Sequence, residues 1–471
     1  MAMQTIGSSE QQRWDAVEGF RPCFAYPAHM RELRSWSLIA IGALAVAGVF
    51  ALLLAISRIP GADSLFPWPV AFYEKSLVIH VVFSFVVWFL AGGILFMQIA
   101  ALRLSSAHPL LPTLGRTGVG AMIAAFALLA IPALLDRGQP SLNNYVPAII
   151  DPVYYVGLLF AAFAAAAGAV RALANGIARS GPLEPVGATG LATAVIALAA
   201  LIAFAISWNR LGHLPASPAV NEDLFWAGGH ILQFLNVVIM IGAWTILGGR
   251  ALGHPIVQPR IVIAALGLAA LLAVVGLSLQ FVHPPFSVDE RNLFTLYQFA
   301  LAPAPIVVGL LAAFALLKTP CADGAPARAA RGGLIVSLIV FFSGGILGIF
   351  VDGTDTRTPA HYHGVIGGVN VALMGMFYVF VLPLLERGLV RWRWPAVSLW
   401  LYGAGQFLHS MGLFIAGGYG APRKVADTAP GLDVLGNWIG HVGIGIGGVI
   451  AVLGGIMFIW ITARQLLARK T

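Results

Sequence analysis

Apolar positions in this chain neither alternate nor recur on one face. They run on for twenty or more residues at a time, separated by short polar stretches. About twelve such segments stand out, each at least as long as the ~20 helical residues needed to cross a hydrocarbon core. They lie near 35–57, 76–102, 115–135, 153–176, 187–208, 224–249, 261–282, 292–317, 332–351, 360–385, 395–417 and 436–462. The pattern predicts an all-α fold, an integral membrane bundle of about twelve transmembrane helices. Residues 1–34 are polar and charged, with no apolar run of signal-peptide type, and read as a cytoplasmic N-terminal segment. Residues 35–471 read as one transmembrane domain with no second domain and no repeat. Its Ala- and Gly-rich helices suit close packing in a membrane.

Composition agrees: 59% of residues are hydrophobic, 10% are charged, and the mean hydropathy is +0.88. Lys and Arg of short loops collect on the cytoplasmic side. With the N-terminus inside, 19 of the 27 basic residues fall inside and 12 of the 19 acids outside. Both termini are therefore expected in the cytoplasm, in a bacterial inner membrane. The net charge of +8 reflects this sidedness and carries no signal for nucleic acid. Cys23 and Cys321 both fall on the inner side, and neither belongs to a C-x-x-C-H haem-attachment motif.

The chemistry resides in histidines. His361 and His363 open a long apolar segment one residue apart. At about 100° per residue they diverge by roughly 200° on a helix, so they cannot share one metal. The pair suits a helix held between two metal centres, and two haems are the obvious occupants. His80, His230 and His283 fall at the same outer level in spans 2, 6 and 7. Polar side chains at such a depth are costly and by default mark a function.

From span 2 to span 12 the chain resembles subunit I of the haem-copper oxidase superfamily, which includes cytochrome oxidases and nitric oxide reductases. The resemblance rests on His80, Gly228-Gly229-His230, His283 and the His361-Tyr362-His363 pair in that order. It is joined by Phe341-Phe342-Ser343-Gly344-Gly345-Ile346-Leu347-Gly348 and Gly420-Ala421-Pro422-Arg423-Lys424. It implies a low-spin haem between His80 and His363 and a high-spin, gas-binding haem on His361. It further implies a second metal, copper or non-haem iron, on His230 and His283, with Arg423 and Lys424 paired to haem propionates. Imidazole suits all of these metals, and the guanidinium fork matches a carboxylate.

Two departures qualify what the resemblance implies. Pro284 and Pro285 follow His283 where the family has adjacent histidines, so only two of three second-metal ligands remain, with His409 and His441 as candidate substitutes. Phe234 stands where oxidases of the main type carry a tyrosine, and Gln233 near where nitric oxide reductases carry a glutamate. The expected activity is terminal reduction of a diatomic gas. NO to N2O is slightly ahead on site residues and O2 to water ahead on family abundance. The alternative is a non-catalytic dihaem protein that carries electrons or senses gas. Electrons are expected from cytochrome c or a partner subunit on the outer side. The loop Asn143-Asn144-Tyr145-Val146-Pro147 reads as an ordered cover over the haems, and Trp226 and Trp438 as interfacial belt residues.

Overall fold

In the computed structural model, residues 16–56, 72–105, 109–179, 181–351, 353–423 and 434–468 are described. Twelve long helices run through them. These are α1 (Pro27–Ile56), α2 (Tyr73–Leu104), α3 (Pro112–Leu134), α4 (Pro152–Ile177), α5 (Pro185–Leu211) and α6 (Pro218–Leu252). They continue with α7 (Pro259–Leu279), α8 (Val288–Lys318), α9 (Ala325–Leu347), α10 (Arg357–Leu384), α11 (Arg393–Gly418) and α12 (Leu435–Leu467). Eleven of them are long and apolar enough to cross a membrane. The twelfth, α11, is as long as its neighbours but carries Tyr402, Gln406, His409 and Ser410 in its interior, which lowers its hydropathy. The all-α membrane bundle expected from the apolar pattern is the observed fold.

Boundaries move where local chemistry overrides hydropathy. α1 begins at Pro27, inside the stretch read as a polar lead-in, because proline suits a first helical turn and Leu33 and Trp36 are already buried there. α8 is broken by a 3-10 turn at Gln298–Leu301, just before Pro303 and Pro305. α2 contains a π-helical turn over Val82–Val87, directly after His80. Such single-turn insertions re-aim side chains and cluster at functional sites.

α6 and α10 form the middle of the bundle: 89% of the apolar window of each is inside the protein, against 22% for α12. α10 packs between α9, α11 and α6, and α6 also meets α5 and α9. α11 and α12 pair most closely. A Cβ on Gly405 would stand 2.2 Å from the backbone nitrogen of Ala451, so only glycine permits this approach. The α3–α4 connection is ordered by a two-stranded antiparallel ribbon, β1 (Gln139–Ser141) with β2 (Ala148–Ile150). Its tip, residues 142–147, lies over the histidine end of the bundle.

Candidate functional site

His361 and His363 leave α10 toward different helices, as their spacing predicts. Nδ1 of His361 lies 2.8 Å from the carbonyl of Gly344 on α9. His363 instead faces α11 and α2: its ring lies beside Gln406, stands 4.7 Å centroid to centroid from His409, and has His80 within electrostatic reach. His80 is anchored by Nδ1 to the carbonyl of Ala47 on α1, at 2.9 Å.

A carbonyl only accepts, so Nδ1 of His361 and of His80 must carry the proton, leaving Nε2 as the bare, ligating nitrogen. No hydrogen-bond partner is recorded for either Nε2 among the described residues. Anchoring the distal nitrogen to a carbonyl is how metal-bound imidazoles are oriented. His80, His361 and His363 are only half-buried in the midst of apolar helices. These three histidines fit axial ligation of haem on the two sides of α10.

His230 differs. It is 1% exposed, and both ring nitrogens are engaged. Nδ1 lies 2.8 Å from the carbonyl of Trp226, and Nε2 lies 3.0 Å from the hydroxyl of Tyr145, which receives a 2.8 Å bond from Nε2 of Gln298. The ring is walled by Tyr145, Trp226 and Phe294 at centroid distances of 4.3, 4.7 and 5.4 Å. Tyr145 arrives from the loop over the bundle and sits on Gly229, where a Cβ would fall 2.3 Å from that of the tyrosine. Burial is the main cause that pushes the Tyr145 phenol above its ordinary range, so it stays a donor. Trp226, read as a belt residue, is instead part of this wall. Trp438 is 52% exposed, as a belt residue would be.

His283 is not brought to His230 by any contact among the described residues. It lies in the α7–α8 turn, where its carbonyl accepts from Nη2 of Arg210 at 3.1 Å and its ring neighbours Glu290. Pro284 and Pro285 lie in the turn that follows the end of α7 at Leu279, Phe286 takes φ 64°, and Ser287 caps α8. The substitutes fail as well. His409 stands beside His363 and bonds the carbonyl of Ile444, and His441 bonds the carbonyl of Asn437 on α12, a helix remote from α6. No group of three His, Cys, Asp or Glu side chains among the described residues could hold a metal. The donors at His230 therefore do not fit a second metal.

Arg423 reaches the same end of the bundle, donating to Oδ1 of Asn144 at 2.9 Å, while Nδ2 of Asn144 donates to Glu222 at 2.7 Å. Lys424 lies outside the described residues. The ordered cover expected from 143–147 is present. Below His363, Gln406 bonds Tyr402, whose hydroxyl accepts from Asn370 at 2.7 Å, and Trp88 donates to Asn370 at 2.9 Å. Tyr145, Gln406 and the placement of His409 are what residue spacing missed. Their partners lie 85, 43 and 46 positions away, out of reach of any local pattern. A cavity of about 1000 Å³ lies at the opposite end, between residues 18–34 and the ends of α10 and α12, away from all of these histidines.

Residues 33–448 match the family of cytochrome c and quinol oxidase polypeptide I. An uncharacterized protein of Rickettsia prowazekii is 23% identical over 93% of this chain and 96% of its own length. One of Aquifex aeolicus is 27% identical over 74% of this chain and 83% of its own. A heme-copper terminal oxidase dimer solved by cryo-EM shares the fold with a TM-score of 0.76 at 18% identity, over 95% of this chain and 85% of that one. With a match across nearly its whole length and this bundle around its paired histidines, the chain belongs to the cytochrome c and quinol oxidase polypeptide I family, the haem-copper oxidase subunit I proteins.

Proposed function

We propose that this protein is a dihaem oxidoreductase of the bacterial inner membrane that binds and reduces a diatomic gas at its outer side. His80 and His363 hold the electron-carrying haem, and His361 holds the gas-binding one. Held by these histidines, haem would supply reversible one-electron transfer and the binding of a gas. The chain's own part is orientation. The carbonyls of Ala47 and Gly344 fix the tautomers of His80 and His361, and the ring of His363 packs edge to face on that of His409. Arg423, which bonds Asn144 at the histidine end, would pair with haem carboxylates. A cytochrome c or partner subunit on that side is the electron donor.

The observation that carries this reading is the divergence of His361 and His363 toward opposite helices, each with its own anchoring partner. An optical spectrum of purified protein with and without CO tests it. The expected result is one low-spin and one CO-binding haem. His80→Ala should abolish the low-spin signal and leave CO binding, and loss of CO binding with an intact low-spin signal would reverse the assignment. NO remains the preferred substrate, because Phe234 replaces the tyrosine of the main oxidases. A second reading, gas binding or electron transfer without turnover, is favoured by one observation, the engaged Nε2 of His230. Steady-state uptake of NO and O2 with a reduced donor separates the two.

A further inference from the structure

We propose that Tyr145, held by Gln298, takes the place of a second metal at His230, and that this pocket carries no metal besides haem iron. The inference rests on the dihaem reading of the pocket for its meaning, but its test does not depend on activity.

The hydrogen bonds run in one direction. The Trp226 carbonyl can only accept, so Nδ1 of His230 donates and the neutral ring has its single lone pair on Nε2. The Tyr145 hydroxyl, 3.0 Å away, donates into that lone pair, and the Gln298 amide donates to the phenol oxygen at 2.8 Å. The chain Gln298, Tyr145, His230, Trp226 is thus satisfied at each of its links, and a metal on Nε2 would have to displace the phenol O–H from that lone pair. A buried network with its partners in place resists such a change, because each displaced group must find another partner.

The arrangement is built in from three elements. Gly229 removes the side chain that would keep Tyr145 off α6, the β1–β2 ribbon holds the loop that presents it, and the 3-10 break in α8 starts at Gln298 itself. Nothing offsets the loss if the phenol leaves. An open metal site takes three protein ligands. Here the neighbour after His283 is Pro284, His283 is engaged in the Arg210 and Glu290 cluster, and His409 and His441 stand at other helices. Tyr145 is accordingly a positioning residue that closes the ligating nitrogen of His230, whose tautomer the Trp226 carbonyl sets.

The test is a metal count on full-length, haem-loaded protein in detergent, by mass spectrometry, before and after anaerobic incubation with copper(I) or iron(II) and desalting. The parent should hold haem iron alone in both states, and Tyr145→Phe should bind added copper(I) at least ten-fold more tightly than the parent. Gln298→Leu, which removes only the donor to the phenol, should shift copper affinity in the same direction by less. One further metal per parent chain that His230→Ala removes would overturn the proposal, as would a Tyr145→Phe variant with the copper affinity of the parent. Haem content on the same samples keeps the two ideas apart. Missing haem would sink the dihaem reading, while the copper titration would still decide the role of Tyr145.

Discussion

The rings of His363 and His409 stand edge to face, 4.7 Å between centroids, on the neighbouring helices α10 and α11. His409 is held there by the carbonyl of Ile444 on α12. The proposed haem ligation needs one of these two imidazoles, and the relation to His80 selects His363 for the proposal. His363 neighbours His80 as well as His409, whereas His409 is hydrogen-bonded to α12. His363→Ala is therefore expected to remove the low-spin haem signal, and His409→Ala to keep it with a shifted reduction potential. Optical redox titration of both variants checks this, and the opposite pattern would make His409 the ligand.

The proposed gas-binding side, at His361, has a tight seat. A Cβ on Gly348 would fall 2.6 Å from Nδ1 of His361, the atom that bonds Gly344. Overpacking of this kind costs about 1–3 kcal/mol, and here it falls on the orientation of one ring. Gly348→Ala should weaken CO binding by about ten-fold or more, each 1.4 kcal/mol being a factor of ten, and leave the low-spin spectrum unchanged. Flash photolysis of the CO adduct measures both, and unchanged CO affinity would show that the ring of His361 has room to move.

Much of the fold is legible in the chain because membrane helices announce themselves by length and hydropathy alone. Even α11, the least apolar, is found from its position between two polar breaks. The opposed directions of His361 and His363 follow from helical rotation, which holds in any surroundings. His230 and His283 are a different case. Their shared level in the membrane is readable, but whether two side chains at one level meet depends on the turn at Pro284–Phe286 and on Arg210, which hold His283 elsewhere. Tyr145 is illegible for a related reason. It sits in a loop, and only the ribbon and the gap at Gly229 determine that its phenol reaches α6.

At the basic end of the bundle, Arg171 on α4 and Glu32 on α1 form a 2.5 Å ion pair with side chains 3% and 8% exposed. Removing one partner of a buried pair strands a charge and costs about 3–5 kcal/mol, whereas removing both costs far less. Glu32→Ala should lower the melting temperature by several degrees, and Glu32→Ala with Arg171→Ala should recover most of that loss. Thermal melts in one detergent compare them. A double variant no better than the single one would mean that the pair acts through packing and not through charge.

Cys23, in the lead-in before α1, has its thiol pushed up from the ordinary range by burial, with Arg103 acting in the opposite sense. The thiolate is the reactive form, so alkylation by iodoacetamide at pH 8 should be slower than for a free thiol and should rise steeply at higher pH. Arg103→Ala removes the lowering influence and should slow the reaction further. Because the folded value is raised, the protonated thiol favours the folded lead-in below the ordinary thiol range, and that contribution is lost as pH climbs through the folded value. Mass spectrometry of labelled peptides from pH 7 to 10 follows both trends, and reaction at the free-thiol rate would contradict them.

Turnover is expected to move no protons across the membrane, with substrate protons taken from the outer side. A pump requires groups that change charge along a path from the cytoplasm, and intramembrane carboxylates and lysines are the usual relays. Among the described residues, every Asp, Glu and Lys lies at or near a helix end or in a connection. At the histidine end the acids are held by basic partners: Asp223 by Arg291 at 2.8 Å, Glu290 by Arg210 at 3.2 Å and Asp355 by Arg357 at 2.7 Å. In the middle of the bundle, the polar chain from His363 through Gln406, Tyr402 and Asn370 to Trp88 consists of amides, a phenol and an indole. These groups orient one another and do not readily take up charge. In liposomes with the outer face outward, gas reduction by a reduced cytochrome c should consume external protons and build no membrane potential. Uncoupler-sensitive acidification of the medium would sink this expectation. Its loss in Tyr402→Phe would then trace the route to that chain.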